Sequence, residues 1–292
     1  MTTAKPWCLV LAIWGQAYGS AHVNEIARAA RRLSPGLRDV VLVTGPHPRE
    51  GIDPDIWQVP FPAFFAQPAF FGGRYRAKLA IFSREVVPPG RVCIYLDLDS
   101  VVTGDLGRIA ELIASPEDFR MMPPAGLGFG RLRRLVDLAR GDRHYPVGNS
   151  SVVAFHADAT PNIAAAFQSL HEAGTDPDAR HMHVDDVFIS WLMRGRVRPV
   201  PDTLAVSFRR EFMARAWPLL WLRLASSARR KRREGLAVIT FNGPSVKPEQ
   251  LVALPDGGRI GDRHGRRGKW SDAYIGPVRG KIIASATRLI GK

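Results

Sequence analysis

The chain alternates short apolar runs with amphipathic stretches, and this alternation constrains its fold more than any other feature. Residues 7–14, 39–44, 92–96 and 150–155 read as buried strands, with a further strand at 57–60. Between them, 21–33 reads as a helix with Val23, Ile26, Ala27, Ala30 and Leu33 on one face. Helices are also expected at 76–86, 106–114, 161–173 and 185–193, and short strands at 100–103, 197–200, 204–208 and 237–241. Residues 61–73 read as an aromatic, Pro- and Gly-containing loop, and the stretch from 115 to about Pro146 as mainly loop. Strands separated by helices predict an α/β fold whose Rossmann-type, mostly parallel sheet is flanked by helices. A chain of 292 residues suits one large domain, here residues 1–255, followed by a basic C-terminal extension at 256–292 expected to be its least globular part.

Composition sets limits on the partners. With 46% hydrophobic residues the chain is too apolar to be disordered, and no apolar run approaches the ~20 residues of a membrane span. Cys8 and Cys93 lie inside apolar runs and read as reduced, buried thiols of a cytoplasmic protein. The N-terminal apolar stretch reads as a first strand rather than a signal peptide. The formal charge is +14, and it is concentrated at one end. Residues 209–292 hold 19 Lys and Arg against 6 Asp and Glu, leaving 22 against 21 in the first 208.

Within 212–235, Trp217, Leu220, Trp221 and Leu224 recur at helical spacing ahead of Arg229, Arg230, Lys231, Arg232 and Arg233. Residues 278–292 repeat the theme with Ile282, Ile283, Leu289 and Ile290 among Arg279, Lys281, Arg288 and Lys292. Two readings fit. One is an interfacial helix on anionic lipid, which makes the protein peripheral on the inner face of the cell membrane. The other is a helix packed on the domain with its basic flank solvated. Nucleic acid is disfavoured, because the sequence holds no recognised binding module.

The sharpest local feature is Tyr95-Leu96-Asp97-Leu98-Asp99-Ser100. A buried strand ending in two carboxylates places both on one side of the chain at a carboxyl edge, where open α/β sheets bind ligands. Carboxylates this close repel unless a cation neutralises them, and hard oxygen donors favour Mg²⁺ or Mn²⁺. The bland alternative is that Asp97 caps a turn and Asp99 a helix. Two architectures use a strand followed by D-x-D: the haloacid-dehalogenase-like phosphatase and the GT-A glycosyltransferase. The phosphatase reading uses Asp97 as nucleophile, Asp99 as acid/base, Ser150 and the Asp185-Asp186 pair. It lacks the usual intervening lysine, since no Lys occurs between Lys78 and Lys231, and Arg180 would have to substitute.

Further segments point to the second architecture. Ile13-Trp14-Gly15-Gln16-Ala17-Tyr18, Tyr75-Arg76-Ala77-Lys78-Leu79, the D-x-D and Gly148-Asn149-Ser150-Ser151-Val152-Val153 follow in order. Then come Asp185-Asp186-Val187-Phe188-Ile189-Ser190, Ala205-Val206-Ser207-Phe208-Arg209 and Thr240-Phe241-Asn242-Gly243-Pro244-Ser245-Val246-Lys247-Pro248. This series resembles bacterial GT-A glycosyltransferases related to the glycogenin and lipopolysaccharide galactosyltransferase family. The resemblance implies a metal-dependent transferase that moves a sugar from a nucleoside-diphosphate donor, UDP-linked, to a surface glycan or glycolipid acceptor. It implies Asp97 and Asp99 as ligands of Mn²⁺ or Mg²⁺, with Leu98 between them beside the donor. Lys247 beside Gly243 is implied for the diphosphate, and Trp14 and Tyr18 for the nucleobase or its pocket, with ordinary core packing as the alternative. Lys78 pairs with phosphate or with a carboxylate. Asn149 and Asp185 bracket the sugar, Asp185 nearest the reacting carbon and followed by Asp186; the rival role for Asp185 is a first-turn acid of its helix. Two positions depart from the family pattern. Asp186 replaces Gln, and Asn242 replaces a metal-binding His, with one extra residue before Lys247. Asn242 offers a carbonyl oxygen as third ligand. His181 and His183 read as loop residues before the helix rather than ligands. A non-catalytic protein that binds membranes or polyanions remains the third reading.

Overall fold

The computed structural model describes residues 5–72, 75–123, 147–159, 162–174, 181–215 and 232–291. It divides into two compact units. One comprises Met1–Val23, Gly36–Leu98 and Ile109–Val200, the other Asn24–Pro35, Asp99–Arg108 and Pro201–Lys292.

The first unit is built on a seven-stranded sheet. Its strands are β1 (Trp7–Ala12), β2 (Leu37–Thr44), β3 (Trp57–Pro60), β4 (Val92–Leu96), β6 (Phe119–Met122), β7 (Asn149–His156) and β8 (Val197–Pro199). Their order is β3-β2-β1-β4-β7-β6-β8. The four strands from β3 to β4 are parallel, β7 runs antiparallel to both β4 and β6, and β8 is parallel to β6. The expected mostly parallel sheet is therefore present. Every residue of β1 and β4 is buried, as a strand covered on both faces requires, which explains their uninterrupted apolar sequence. β1 lies between β2 and β4, so the strand order reverses direction there. In open α/β sheets the crevice at such a reversal receives ligands.

Several expectations need correcting in this unit. Residues 76–86 do not form an α-helix; Arg76–Phe82 is a 3₁₀ helix entered through Tyr75 in the left-handed region (φ 54°). Residues Ala77 to Phe82 are all buried, so the segment has no solvated face of the kind an amphipathic helix presents. The 61–73 loop contributes to the core. Phe61, Phe65 and Phe70 are buried, and Phe65 stacks on Phe167 with ring centroids 6.1 Å apart. The 115–146 stretch contains β6, which sequence reading missed because Phe119-Arg120-Met121-Met122 is only four residues long and holds an arginine. The Ile163–Glu172 helix starts where expected, and the Asn162 side chain accepts the Ala165 N–H at its N-terminus. The 106–114 helix is confined to Gly107–Ala110. Cys8 and Cys93 are free, buried, and paired in register across β1 and β4.

The second unit holds a three-stranded sheet, in the order β5 (Ser100–Val102), β10 (Val238–Thr240) and β9 (Ala205–Ser207). It also holds a hairpin of β11 (Gly258–Gly261) and β12 (Arg267–Trp270). Residues beyond Asp256 are folded, contrary to expectation. Trp270, Tyr274, Ile275, Val278 and Ile282 are buried in this unit's core with Phe208, Phe212 and Phe241. The Val278–Ile290 helix turns its basic residues to partners in the same unit. Arg279 pairs with Asp256 and Asp272, Lys281 donates to the Thr103 carbonyl, and Arg288 grips Glu25 through two bonds of 2.7 Å.

The basic run 229–233 is likewise not uniformly solvated. Arg233 is buried, donates to Glu211 (2.8 Å) and to the Tyr274 carbonyl (2.9 Å), and lies over the Phe212 ring. Arg232 pairs with Glu211 and Asp202. Trp217, Leu220, Trp221, Leu224 and the first three bases of the run lie outside the described residues. Among the described residues no helix is long and apolar enough to cross a membrane. Removing one partner of a buried ion pair leaves an uncompensated charge at a cost of about 3–5 kcal/mol. Glu211→Ala is thus expected to lower the thermal midpoint sharply, whereas Asp202→Ala, at an exposed pair, should change it little. Equal effects in thermal melts would contradict the buried role of Arg233.

Candidate active site

The first unit gathers charge at the carboxyl end of β4. Tyr95 and Asp97 are two residues apart on the same side of the chain, and the Tyr95 hydroxyl donates to Asp97 Oδ1 at 2.8 Å. The same oxygen lies 2.8 Å from Lys78 Nζ, brought in by the 3₁₀ helix. Lys78 also donates to Ser150 Oγ (3.0 Å) at the start of β7, and lies 3.3 Å from Asp185 Oδ2 in the first turn of the Asp185–Leu192 helix. Ser150 Oγ donates to Asp185 in turn, at 2.5 Å. All three ammonium donors of Lys78 thus have partners, as a buried charge requires. Asp186 accepts the Ser150 backbone N–H at 2.6 Å.

The electrostatics follow from two carboxylates facing one ammonium. Burial alone would pull the pKa of Lys78 down; Asp185 and Asp97 outweigh it and hold the value well above that of an ordinary lysine. Burial, with Asp97 beside it, raises Tyr95, so its phenol stays a neutral donor. Burial and the neighbouring Asp185 raise Asp186 to about 7, against the pull of Lys78 and the Ser150 N–H. Asp186 is therefore poised to carry a proton near neutral pH.

In the second unit, Asp99 precedes β5 and its backbone carbonyl accepts the Phe241 N–H. Lys247 Nζ lies 2.8 Å from Asp99 Oδ2 and 3.2 Å from the Phe241 carbonyl. Lys247 also begins the Pro248–Val252 helix, where the Gln250 side chain accepts its backbone N–H at 3.2 Å and its carbonyl accepts the Gln250 N–H. Gly243 has φ +94°, a conformation that L side chains rarely adopt. Asn242 accepts from the Thr240 hydroxyl at 2.8 Å.

The residues singled out in sequence therefore fall into groups. Lys78, Asp97, Asp185 and Asp186 meet around Ser150, and Lys78 takes carboxylates as partners. Asp99, Gly243 and Lys247 are brought together in the second unit. Leu98 is buried, and the division between the units falls between it and Asp99. Asn149 uses its side chain to accept the Ser151 N–H. Trp14, just past β1, packs edge-on to Phe61 and beside half-exposed Tyr75, while Tyr18 packs edge-on to His22. Both the pocket and the packing readings of these aromatics stay open. Asp185 is a first-turn acid, as its rival reading held, and also faces Lys78. His181 stacks on Trp191 at 4.1 Å. Ser150 and Tyr95 were missed as organising residues. The spacing of Tyr95 from Asp97 could have signalled its role; nothing local signals the bridge that Ser150 makes to residues 72 and 35 positions away.

Among the described residues no group of three or more His, Cys, Asp or Glu is gathered as a ligand set. Two carboxylates separated by one residue nevertheless match what Mg²⁺ and Mn²⁺ take, since such ions use one or two carboxylates with phosphate oxygens and water completing the shell. Carboxylates and a carboxamide oxygen are donors of the kind a hard divalent ion takes; Asp97 supplies one in the first unit, Asp99 and Asn242 in the second.

No family model and no curated protein sequence matches the chain. Its fold is similar to that of solved GT-A glycosyltransferases. The galactosyltransferase LgtC, in complex with donor and acceptor sugar analogues, is 15% identical, with 82% of this chain and 88% of that one covered and a TM-score of 0.53. The glycosyltransferase GlyE of Streptococcus pneumoniae TIGR4 is 13% identical with a TM-score of 0.57, and the bifunctional glycosyltransferase WbbM 12% with 0.56. Each of these two alignments covers 98% of this chain, which spans 63% of GlyE and 52% of WbbM. The α/β fold with a mostly parallel sheet is thus of GT-A type, which leaves the haloacid-dehalogenase-like reading without its scaffold.

The raised Asp186 has a measurable consequence. Its pKa is raised from 3.8 to about 7, so between those values the folded state holds a proton that the unfolded chain does not. The stability this contributes is complete below about pH 4 and is lost as pH rises through 7. Asp186→Asn keeps the acceptor oxygen for the Ser150 N–H and removes the titration. The thermal midpoint of the variant minus that of the wild type is expected to grow from pH 4 to 7 and then level off. A difference independent of pH would show that Asp186 is ionised like an ordinary surface carboxylate.

Proposed function

We propose that the chain is a glycosyltransferase that moves a hexose from a nucleoside-diphosphate donor, UDP-linked, to the hydroxyl of a glycan or glycolipid acceptor. The observation that carries this reading is the position of the D-x-D: it directly follows β4 at the reversal point of a GT-A-type sheet. The binding of donor and acceptor sugar analogues by LgtC supports the same substrate classes.

In the reaction, the acceptor oxygen replaces the diphosphate at the anomeric carbon and the hydroxyl loses its proton. The chief need is to stabilise charge on the departing diphosphate. Asp97 and Asp99, with Asn242, would hold Mn²⁺ or Mg²⁺, which when bound supplies positive charge to that leaving group. Lys247 adds a second positive charge, and the neighbouring Gly243 leaves room for close approach of phosphate oxygens. Lys78 holds Asp185 and Asp97 in place, so that Asp185 is oriented toward the sugar by Lys78 and Ser150 rather than by its own rotamer preference. Asn149 borders the sugar, and Trp14 with Tyr18 borders the nucleobase. The acceptor is a surface glycan or glycolipid precursor, as in polysaccharide biosynthesis, met at the inner face of the membrane.

Two measurements test the reading. Incubation with a panel of UDP- and GDP-sugars should show donor hydrolysis that depends on Mn²⁺ or Mg²⁺, reduced on the order of 100-fold or more in Asp97→Asn and Asp99→Asn. Absence of turnover with every donor, together with Mg²⁺-dependent phosphate release from phosphomonoesters, would replace it with the phosphatase reading. For the membrane, reversing the charges of Arg229, Arg230 and Lys231 to Glu should abolish sedimentation with anionic liposomes and spare donor binding. Arg232 and Arg233 are left intact in that variant because they hold Glu211. Unchanged sedimentation would remove the membrane from the reading.

A further inference from the structure

One residue of the first unit holds a backbone conformation that its side chain opposes. Among the described residues Tyr75 is the only non-glycine with a positive φ, at φ 54° and ψ 24°. In that region the Cβ of an L residue crowds the following carbonyl, and for a bulky aromatic residue the conformation is an outlier. Glycine or asparagine would take the same turn with less strain. Strain of this kind persists only where the surroundings over-determine it, and it gathers at positions that clamp ligands. The backbone of Tyr75 is tied on both sides: its N–H donates to the Gly72 carbonyl, and its carbonyl accepts the Lys78 N–H.

The ring does not gain the burial that would offset a strained backbone, since Tyr75 is 52% exposed. It lies beside Trp14, with ring centroids 6.5 Å apart and planes at 54°. Trp14 stands two residues past β1, the strand at which the sheet order reverses and ligands are received. Three residues after Tyr75, Lys78 faces Asp97 and Asp185. An aromatic surface thus leads directly into the charged cluster, within one unit. A nucleoside-diphosphate sugar has the same division, with a planar base at one end and a polar sugar and phosphates at the other. Stacking on an aromatic side chain suits the face of any base.

We propose that Tyr75 is a nucleobase-stacking residue, whose ring, held out beside Trp14 by the left-handed backbone, packs against the base of the donor. This rests on the donor reading given above and adds a third aromatic residue to the two named there for the base.

The test combines thermal melts with calorimetric titration of the full chain in Mg²⁺, using UDP and inorganic pyrophosphate as probes. Tyr75→Asn removes the ring and places a residue that tolerates the left-handed region. It should weaken UDP by roughly 5- to 100-fold, leave pyrophosphate unchanged, and melt at or above the wild-type temperature. Tyr75→Phe keeps the ring and should bind UDP within about twofold of the wild type. Wild-type UDP affinity in Tyr75→Asn would overturn the role of Tyr75 and leave the donor reading standing. A midpoint of Tyr75→Asn well below that of the wild type, or a parallel loss of pyrophosphate, would also overturn it, by showing that the ring serves the fold. Equal losses in Tyr75→Asn and Tyr75→Phe would overturn stacking by placing the effect in the hydroxyl. A wild-type chain that binds neither probe would overturn both proposals.

Discussion

The ammonium of Lys78 organises the first unit. It is buried, and a charge in that position is tolerable only because Asp97, Asp185 and Ser150 surround it. Those partners come from the end of β4, the start of β7 and the first turn of the Asp185–Leu192 helix. One side chain therefore fixes the relative placement of three elements at the edge where a GT-A-type sheet meets its ligands. The arrangement also explains why so apolar a segment as Ala77–Phe82 carries a single lysine. Its neighbours fill the core, and Lys78 alone faces the carboxylates.

This network differs from a structural salt bridge in its balance. One ammonium is shared between two carboxylates, a third lies next door, and the excess of negative charge is relieved by raising Asp186 rather than by adding another base. A cluster in that condition favours an additional cation. The second unit has its own charged pair, with Lys247 on Asp99, and there Arg209 lies beside Gly243.

Much of the sheet was legible in the sequence because strands buried on both faces must be apolar throughout, as β1 and β4 are. The D-x-D was legible for the same reason: polar residues that end such a strand stand out. What was not legible depends on distant partners. The basic character of Arg232, Arg233, Arg279 and Arg288 suggested a lipid-facing surface, yet each side chain found a carboxylate far along the chain. Charge counts report how many ionic groups exist, and say nothing of which are paired. Similarly, Arg76–Phe82 has a composition compatible with an α-helix, and only the burial of Ala77–Phe82 shows why no helical face was needed.

The bond between Glu25 and Arg288 joins residues 263 positions apart, within a unit that uses Asn24–Pro35 together with everything after Pro201. During synthesis, the strands of the first unit leave the ribosome while residues 24–35 still lack their packing partners. That early segment carries Glu25, whose two bonds to Arg288 can form only once the Val278–Ile290 helix has been made. The completion of the fold is therefore a late event.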